Sequence, residues 1–173
     1  HRSALRTLPS VPDALRNIER RWSVPADPVD DRPVFLLSAG WRSGSTLLQR
    51  LVMSGSEVMM WGEPYPNCDY IRGLARSLSA FQPDQPPDQF YIRPAPETRV
   101  GAMPLDEWIA CLYPNPGDLI RAHRAFFRTL YAAPALERGY RRWGLKEVVV
   151  AVEHAAYLRW LFPGAKFLFL YRD

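Results

Sequence analysis

Eight residues, Ala39 to Thr46, read AGWRSGST and hold two glycines, a guanidinium and three hydroxyls. They follow a short apolar run and lead at once into TLLQRLV, a leucine-bearing stretch with helical spacing. A turn from strand to helix presents main-chain N–H groups at the positive end of the helix dipole, and Gly40 and Gly44 let that main chain approach a ligand closely. With the hydroxyls of Ser43, Ser45 and Thr46 and the charge of Arg42, the stretch is suited to cradle a tetrahedral oxyanion. The plainer interpretation is a Gly/Ser-rich connection in which Ser45 caps the helix. The nucleotide triphosphate loop fits poorly: it needs Gly-Lys-Ser/Thr after a longer glycine spacing, whereas three residues separate Gly40 from Gly44 and no lysine follows. No aspartate at an inferred strand end completes a magnesium site, so ordinary ATP or GTP hydrolysis is disfavoured.

Two further groups stand at inferred strand ends. Glu63, in WGEP, follows the second apolar run, on the rim from which the loop emerges. Lys146, in WGLKEV, is one of two lysines, with Lys166, beside 20 arginines. So heavy an arginine load, with 17 prolines, reflects compositional bias more than twenty phosphate contacts. In such a background a lysine indicates a need for a compact ammonium. Glu147 beside it is an alternative, purely structural, ion-pair partner. The histidines are weaker candidates: His123, in RAHRAFF, reads as a surface helix residue within reach of the rim, His154 as packing or solvated, and His1 as terminal. Tyr65, Tyr70, Phe90, Tyr91 and Trp108 are candidates for an acceptor pocket or, as aromatics usually are, for core.

The elements that must position these groups follow from apolar periodicity. Val34 to Ala39 has the continuous apolar pattern of a strand buried on both faces of a parallel sheet. Ser45 to Met53 is expected to be a helix burying Leu47, Leu48, Leu51 and Val52. Glu57 to Trp61 is a second strand, Asp69 to Ala80 a helix capped by its aspartate, and Asp118 to Tyr131 another helix. Between them, FQPDQPPDQFYIRPAPET, residues 81–98, carries too many prolines for regular structure and suits a surface excursion, and the prolines between Phe81 and Pro116 are expected to wall an acceptor site. Arg142 to Lys146 reads as a strand, Val150 to Phe162 as a helix stopped by Pro163 and Gly164, and Lys166 to Tyr171 as a buried strand. Strand, helix, strand in this order favours a right-handed crossover, hence an open parallel α/β sheet with ligands beyond the carboxyl ends of its strands. Residues 1–33, charged and proline-rich, with a short helix over Pro12 to Trp22, are expected to clasp the outside of a single domain formed by 34–173.

Composition narrows the partners. A net charge of +4, from 22 basic and 18 acidic residues, suits anionic ligands but lacks the concentrated stripe of a nucleic-acid reader. Cys68 and Cys111 are too few and too unpatterned for a disulfide framework or a zinc site, which points to a reducing compartment. No apolar run approaches the roughly 18 residues of a membrane span.

The stretch SAGWRSGSTLLQRLV resembles the 5′-phosphosulfate-binding loop of sulfotransferases that use 3′-phosphoadenosine 5′-phosphosulfate (PAPS), in its PRSGTTLL form. LFPGAKFLFLYRD is similar to the same family's FPNAKFL…RD segment, which opens the 3′-phosphate site. Between them, WGEP and WGLKEV stand where the branch that includes tyrosylprotein sulfotransferases carries its GE and KDP elements. The resemblance implies a P-loop-like three-layer α/β fold and sulfuryl transfer from PAPS to a hydroxyl of a small molecule, carbohydrate or peptide, releasing PAP, in the cytoplasm and without a metal. It also implies that Arg42, Ser43, Gly44, Ser45 and Thr46 bind the donor, that Arg172 grips its 3′-phosphate, that Glu63 is the general base, and that Lys146 and Arg42 stabilise the moving group. Pro64 departs from the branch's doubled glutamate, and another branch uses a histidine base, which keeps His123 in view. The family's partner serine for the 3′-phosphate lies beyond Asp173, so this site is expected to be incomplete here. Two rivals stand beside this reading: a small-molecule kinase or other phosphate-binding enzyme on the same scaffold, and a non-catalytic module for anionic ligands.

Overall fold

A computed structural model describes residues 8–63, 69–88, 113–148 and 151–171. Helix α1 (Val11–Arg21) leads into β1 (Val34–Ser38), α2 (Ser45–Ser54), β2 (Val58–Trp61) and α3 (Tyr70–Ser77), which ends in a 3-10 turn, Leu78–Ala80. After the second described stretch come α4 (Pro116–Phe127), a π-helical turn at Arg128–Ala132, α5 (Ala133–Glu137), β3 (Arg142–Val148), α6 (Val152–Leu161) and β4 (Lys166–Leu170). The π turn has a local cause. Pro134 lacks the N–H that would bond Leu130 and its ring crowds that carbonyl, so the ladder widens just before it.

The four strands form one all-parallel sheet in the order β2-β3-β1-β4. All five residues of β1 are buried, as a continuous apolar run at the centre of a covered sheet should be. Side chains alternate between faces. Val34, Leu36, Val58 and Met60 form a small cluster under α2, while Phe35, Leu37, Trp143 and Leu145 face α1, α4 and α6 in the main core.

Helix α2 covers its face differently from the expectation. Ser45 is its one buried residue, with Leu48, Val52 and Met53 packed partly against the cluster and Gln49 Nε2 donating to the Met60 carbonyl at 2.9 Å. Leu47 and Leu51 are 64% and 60% exposed. Each residue advances the helix by about 100°, so a seat on 45, 48, 49 and 52 turns 47 and 51 aside.

The N-terminal region is woven into this core. Ser10 caps α1 by accepting from the Asp13 N–H, and Val11, Ala14, Leu15 and Ile18 are buried in the main cluster. Asn17 Nδ2 donates to the Phe81 carbonyl at 2.9 Å, and Arg21 donates to the carbonyls of Gln82, Gln85 and Pro86 and to Asp88. Past the helix, Asp31 accepts from Trp143 Nε1 at 2.9 Å, and Asp27 and Asp31 both pair with Arg128. Buried Arg124 donates to the carbonyls of Leu161 and Pro25. Each buried cation therefore has acceptors that offset the cost of leaving water.

Strand β3 crosses Met60 at Gly144, where a Cβ would stand 2.6 Å from the Val34 carbonyl oxygen and 2.8 Å from Met60 Sδ. Backbone on one side cannot move aside, so Gly144→Ala is expected to destabilise by about 1–3 kcal/mol, measured as a lower Tm in thermal unfolding followed by circular dichroism.

Candidate active site

The loop between β1 and α2 is shaped by two left-handed residues close together, Arg42 at φ 58° and Gly44 at φ 93°. Left-handed residues interleaved with right-handed ones are the pattern that can turn successive main-chain N–H groups toward one side, as in anion-binding concavities. Gly44 is the N-cap of α2 and supplies no side-chain cap, so Ser45 is the first residue inside the helix; the alternative of a turn capped by Ser45 does not hold. The N–H groups of Ser45, Thr46 and Leu47 lie in the first turn, where no helical carbonyl stands four residues back. A Cβ at Gly40 or Gly44 would meet nothing within 4 Å, so there is open space beside both glycines.

Ser38, buried at the end of β1, braces this shape. Its hydroxyl donates to the Gly40 carbonyl at 2.9 Å and lies 2.6 Å from the Ser43 hydroxyl. One hydroxyl carries one proton, so Ser43 donates to Ser38. The Ser43 side chain thus braces the loop. Ser38 was missed in the sequence reading, although a polar residue closing the run VFLL is the available signal.

The parallel register then brings the charged groups together. Leu36 pairs with Lys146 and Ser38 with Val148, so Lys146 rises from the middle strand on the face of α2, one strand from the loop. Trp61 pairs with Leu145, so β2 ends at this level and Glu63 follows two residues on. The two side chains meet: Lys146 Nζ lies 2.7 Å from Glu63 Oε1, with 7% of the lysine and 35% of the glutamate side chain exposed. The competing partner, Glu147, does not take this place. Strand β3 also runs two residues past the expected end at Lys146, which sets Glu147 on the strand and on the opposite face, paired with Leu37. Burial first, and then the Glu63 charge, push the Glu147 carboxyl up to about 7, against the pull of Lys146.

The other candidates separate from this cluster. His123 is neither on the surface nor on the rim: it is 5% exposed, between α4 and α6, with Nδ1 2.8 Å from the Tyr157 hydroxyl. Burial lowers its pKa, and the core position excludes it as a base in contact with an acceptor. His154 is buried as well. Tyr70 packs on Phe126 with ring centroids 5.4 Å apart and belongs to the core periphery. Arg172, Tyr65, Phe90, Tyr91 and Trp108 lie outside the described residues. Among the described residues no group of three or more His, Cys, Asp or Glu is placed to hold a metal ion, and no helix is long and apolar enough to cross a membrane.

An anion-shaped loop at a helix start, with an ammonium and a carboxylate at the neighbouring strand tips, agrees with one further finding. The family model described as the Sulfotransferase family matches residues 33–173. The chain belongs to this family. Membership makes it an enzyme that transfers sulfuryl groups, and the open parallel α/β sheet with flanking helices is the fold that goes with it. No curated protein and no solved structure matches the chain.

The state of Glu147 has a consequence for stability. Its folded value, about 7, lies above its ordinary 4.5, so folding favours the protonated form. The contribution is fully present below about pH 4.5 and is lost as pH rises to about 7. Thermal melts across that window are expected to fall less in Glu147→Gln than in the unsubstituted protein.

Proposed function

We propose that the chain catalyses sulfuryl transfer from PAPS to a hydroxyl acceptor, with Glu63 as general base. The observation that carries this reading is the 2.7 Å contact of Glu63 with Lys146 beside the loop. PAPS supplies an activated sulfuryl group and departs as PAP. Its fit rests on the loop: open space beside Gly40 and Gly44 and the free amides of a helix start suit a phosphosulfate.

In this reading the 34–173 unit carries the chemistry, with 1–33 as its clasp. The main-chain N–H groups of Gly44, Ser45 and Thr46, with Ser43 and Arg42, hold the donor's sulfonate and 5′-phosphate oxygens. Arg42 occupies a left-handed position that glycine would hold without the 1–2 kcal/mol or so of strain. A guanidinium there brings charge to the loop, consistent with anion binding. Arg172, two residues beyond Leu170 in the sequence, is assigned the 3′-phosphate. Lys146 neutralises charge on the equatorial and bridging oxygens as the sulfuryl group moves in line. Sulfuryl transfer resembles phosphoryl transfer in needing positioning and charge stabilisation more than covalent help.

Glu63 removes the acceptor's hydroxyl proton as the oxygen attacks. Its tie to Lys146 has two effects here. It fixes the carboxylate at the rim before an acceptor arrives, and it keeps a buried ammonium paired until an anion draws it inward. The acceptor enters from the exposed side of Glu63, with residues 81–116 as the proposed wall of its pocket. Two unpatterned cysteines fit a reducing, cytoplasmic setting.

Calorimetric titration with PAP and a sulfate-transfer assay test this assignment together. Glu63→Gln is expected to lower kcat by about 10²–10⁴-fold with PAP affinity unchanged, and Arg42→Ala to weaken PAP binding by about tenfold or more. Full transfer by Glu63→Gln, or magnesium-dependent ATP turnover in place of sulfate transfer, overturns it.

A further inference from the structure

Glu63 springs from the tip of β2, the outer strand of the described sheet, which is bonded to β3 on one side. Its last paired residue is Trp61, opposite Leu145, and Gly62 and Glu63 continue beyond that register. A strand end of this kind frays unless side chains hold it. Two do, one from each face of the sheet. From the main core, the Tyr131 carbonyl accepts from Trp61 Nε1 at 3.0 Å. From the other face, half-buried Gln49 of α2 donates from Nε2 to the Met60 carbonyl at 2.9 Å. The same nitrogen would stand 3.8 Å from a Cβ at Gly62, so the amide lies against the residue that precedes Glu63.

Gln49 also belongs to the helix that opens with the anion loop. It comes four residues, about one turn, after Ser45, the first and the one buried residue of α2, so the two share the side of the helix that faces the sheet. One helical turn and one side-chain hydrogen bond therefore connect the loop to the tip of β2. The partner is a carbonyl oxygen, so only the amide nitrogen of Gln49 can serve as donor. A methionine of similar length fills this seat without making the bond, whereas a lysine or arginine brings a cation to rival Lys146 for Glu63.

We propose that Gln49 is a positioning residue for the transfer: its bond to Met60 fixes the spacing between the helix that carries the donor loop and the strand tip that carries Glu63. The inference rests on the reading of Glu63 as the base and of the loop as the donor's seat. Gln49 touches neither donor nor acceptor in this role, and no proton passes through it. Its contribution is geometric: base and sulfuryl group face each other at the separation that in-line attack needs, and a misplacement of about 1 Å costs on the order of a hundredfold in rate.

A double-mutant cycle on the whole chain tests this. Gln49→Met is expected to lower kcat by about ten- to a hundredfold, with PAP affinity by calorimetry unchanged and the circular dichroism of the fold retained. In the Glu63→Gln background the same substitution is expected to change kcat by less than about twofold, because the group it misplaces is already disabled. Deuterium exchange followed by mass spectrometry gives a readout that does not depend on turnover. In Gln49→Met the amides of residues 58–63 are expected to exchange about tenfold faster, and those of β1 at the rate of the unsubstituted protein. An unchanged kcat, an equal loss of kcat in both backgrounds, or unchanged exchange over 58–63 overturns the proposal. Weakened PAP binding, or faster exchange throughout the sheet, marks a merely structural contact and overturns it as well. Should Glu63→Gln alone keep full transfer while Gln49→Met loosens 58–63, it is the base assignment that fails and not the tether between α2 and β2.

Discussion

The buried ammonium of Lys146 is the charge around which the rest of this molecule is arranged. An amine on the middle strand of a covered sheet is costly unless a carboxylate comes to it, and here Glu63 comes from the tip of the neighbouring strand. The pair can form because β2 stops at Trp61, level with Leu145, and leaves two residues to cross the strand tips. Neither end could sit elsewhere without unpairing the other. An anion arriving at the adjacent loop therefore meets a cation whose place is already set.

The loop is fixed by a different kind of constraint. Its curvature comes from two left-handed residues and from the Ser38 hydroxyl, which ties Gly40 and Ser43 back to the end of β1. Since β1 is buried along its whole length and hydrogen-bonded on both sides, the loop's first residues are anchored to the stiffest part of the sheet. Rigid support of this kind limits the reorganisation open to the loop's main chain.

On the opposite face the core joins distant parts of the chain. Residues Val11 to Ile18 pack with those of α4 and α6, and two carboxylates from the connection into β1 hold Arg128 and Trp143. This face also carries Glu147, so the packing that buries the main core also withdraws water from that carboxyl. A single strand, β3, presents Lys146 on one side of the sheet and Glu147 on the other.

Much of this was readable from residue order. Continuous apolar runs such as VFLL and KFLFL mark parallel strands, and the glycine and hydroxyl spacing of AGWRSGST marks a turn from strand to helix, because both are local properties of the chain; burial is not local, and β4, expected to be buried, stands at the edge of the described sheet with Phe169 68% exposed. The scarcity of lysine likewise singled out Lys146. What residue order left open were the choices settled between segments. Lys146 had two carboxylates available, and the adjacent one in sequence, Glu147, lost to Glu63 because alternation along β3 sends neighbouring side chains to opposite faces. His123 looked like a rim or surface residue until α6 closed over it and gave its ring a phenol partner. Leu47 and Leu51 looked buried, but the seat of α2 is set by the sheet beneath it and by the Gln49 contact with Met60, neither of which helical periodicity alone encodes. Local pattern names the elements and their reactive groups, and the register between strands decides which of those groups meet.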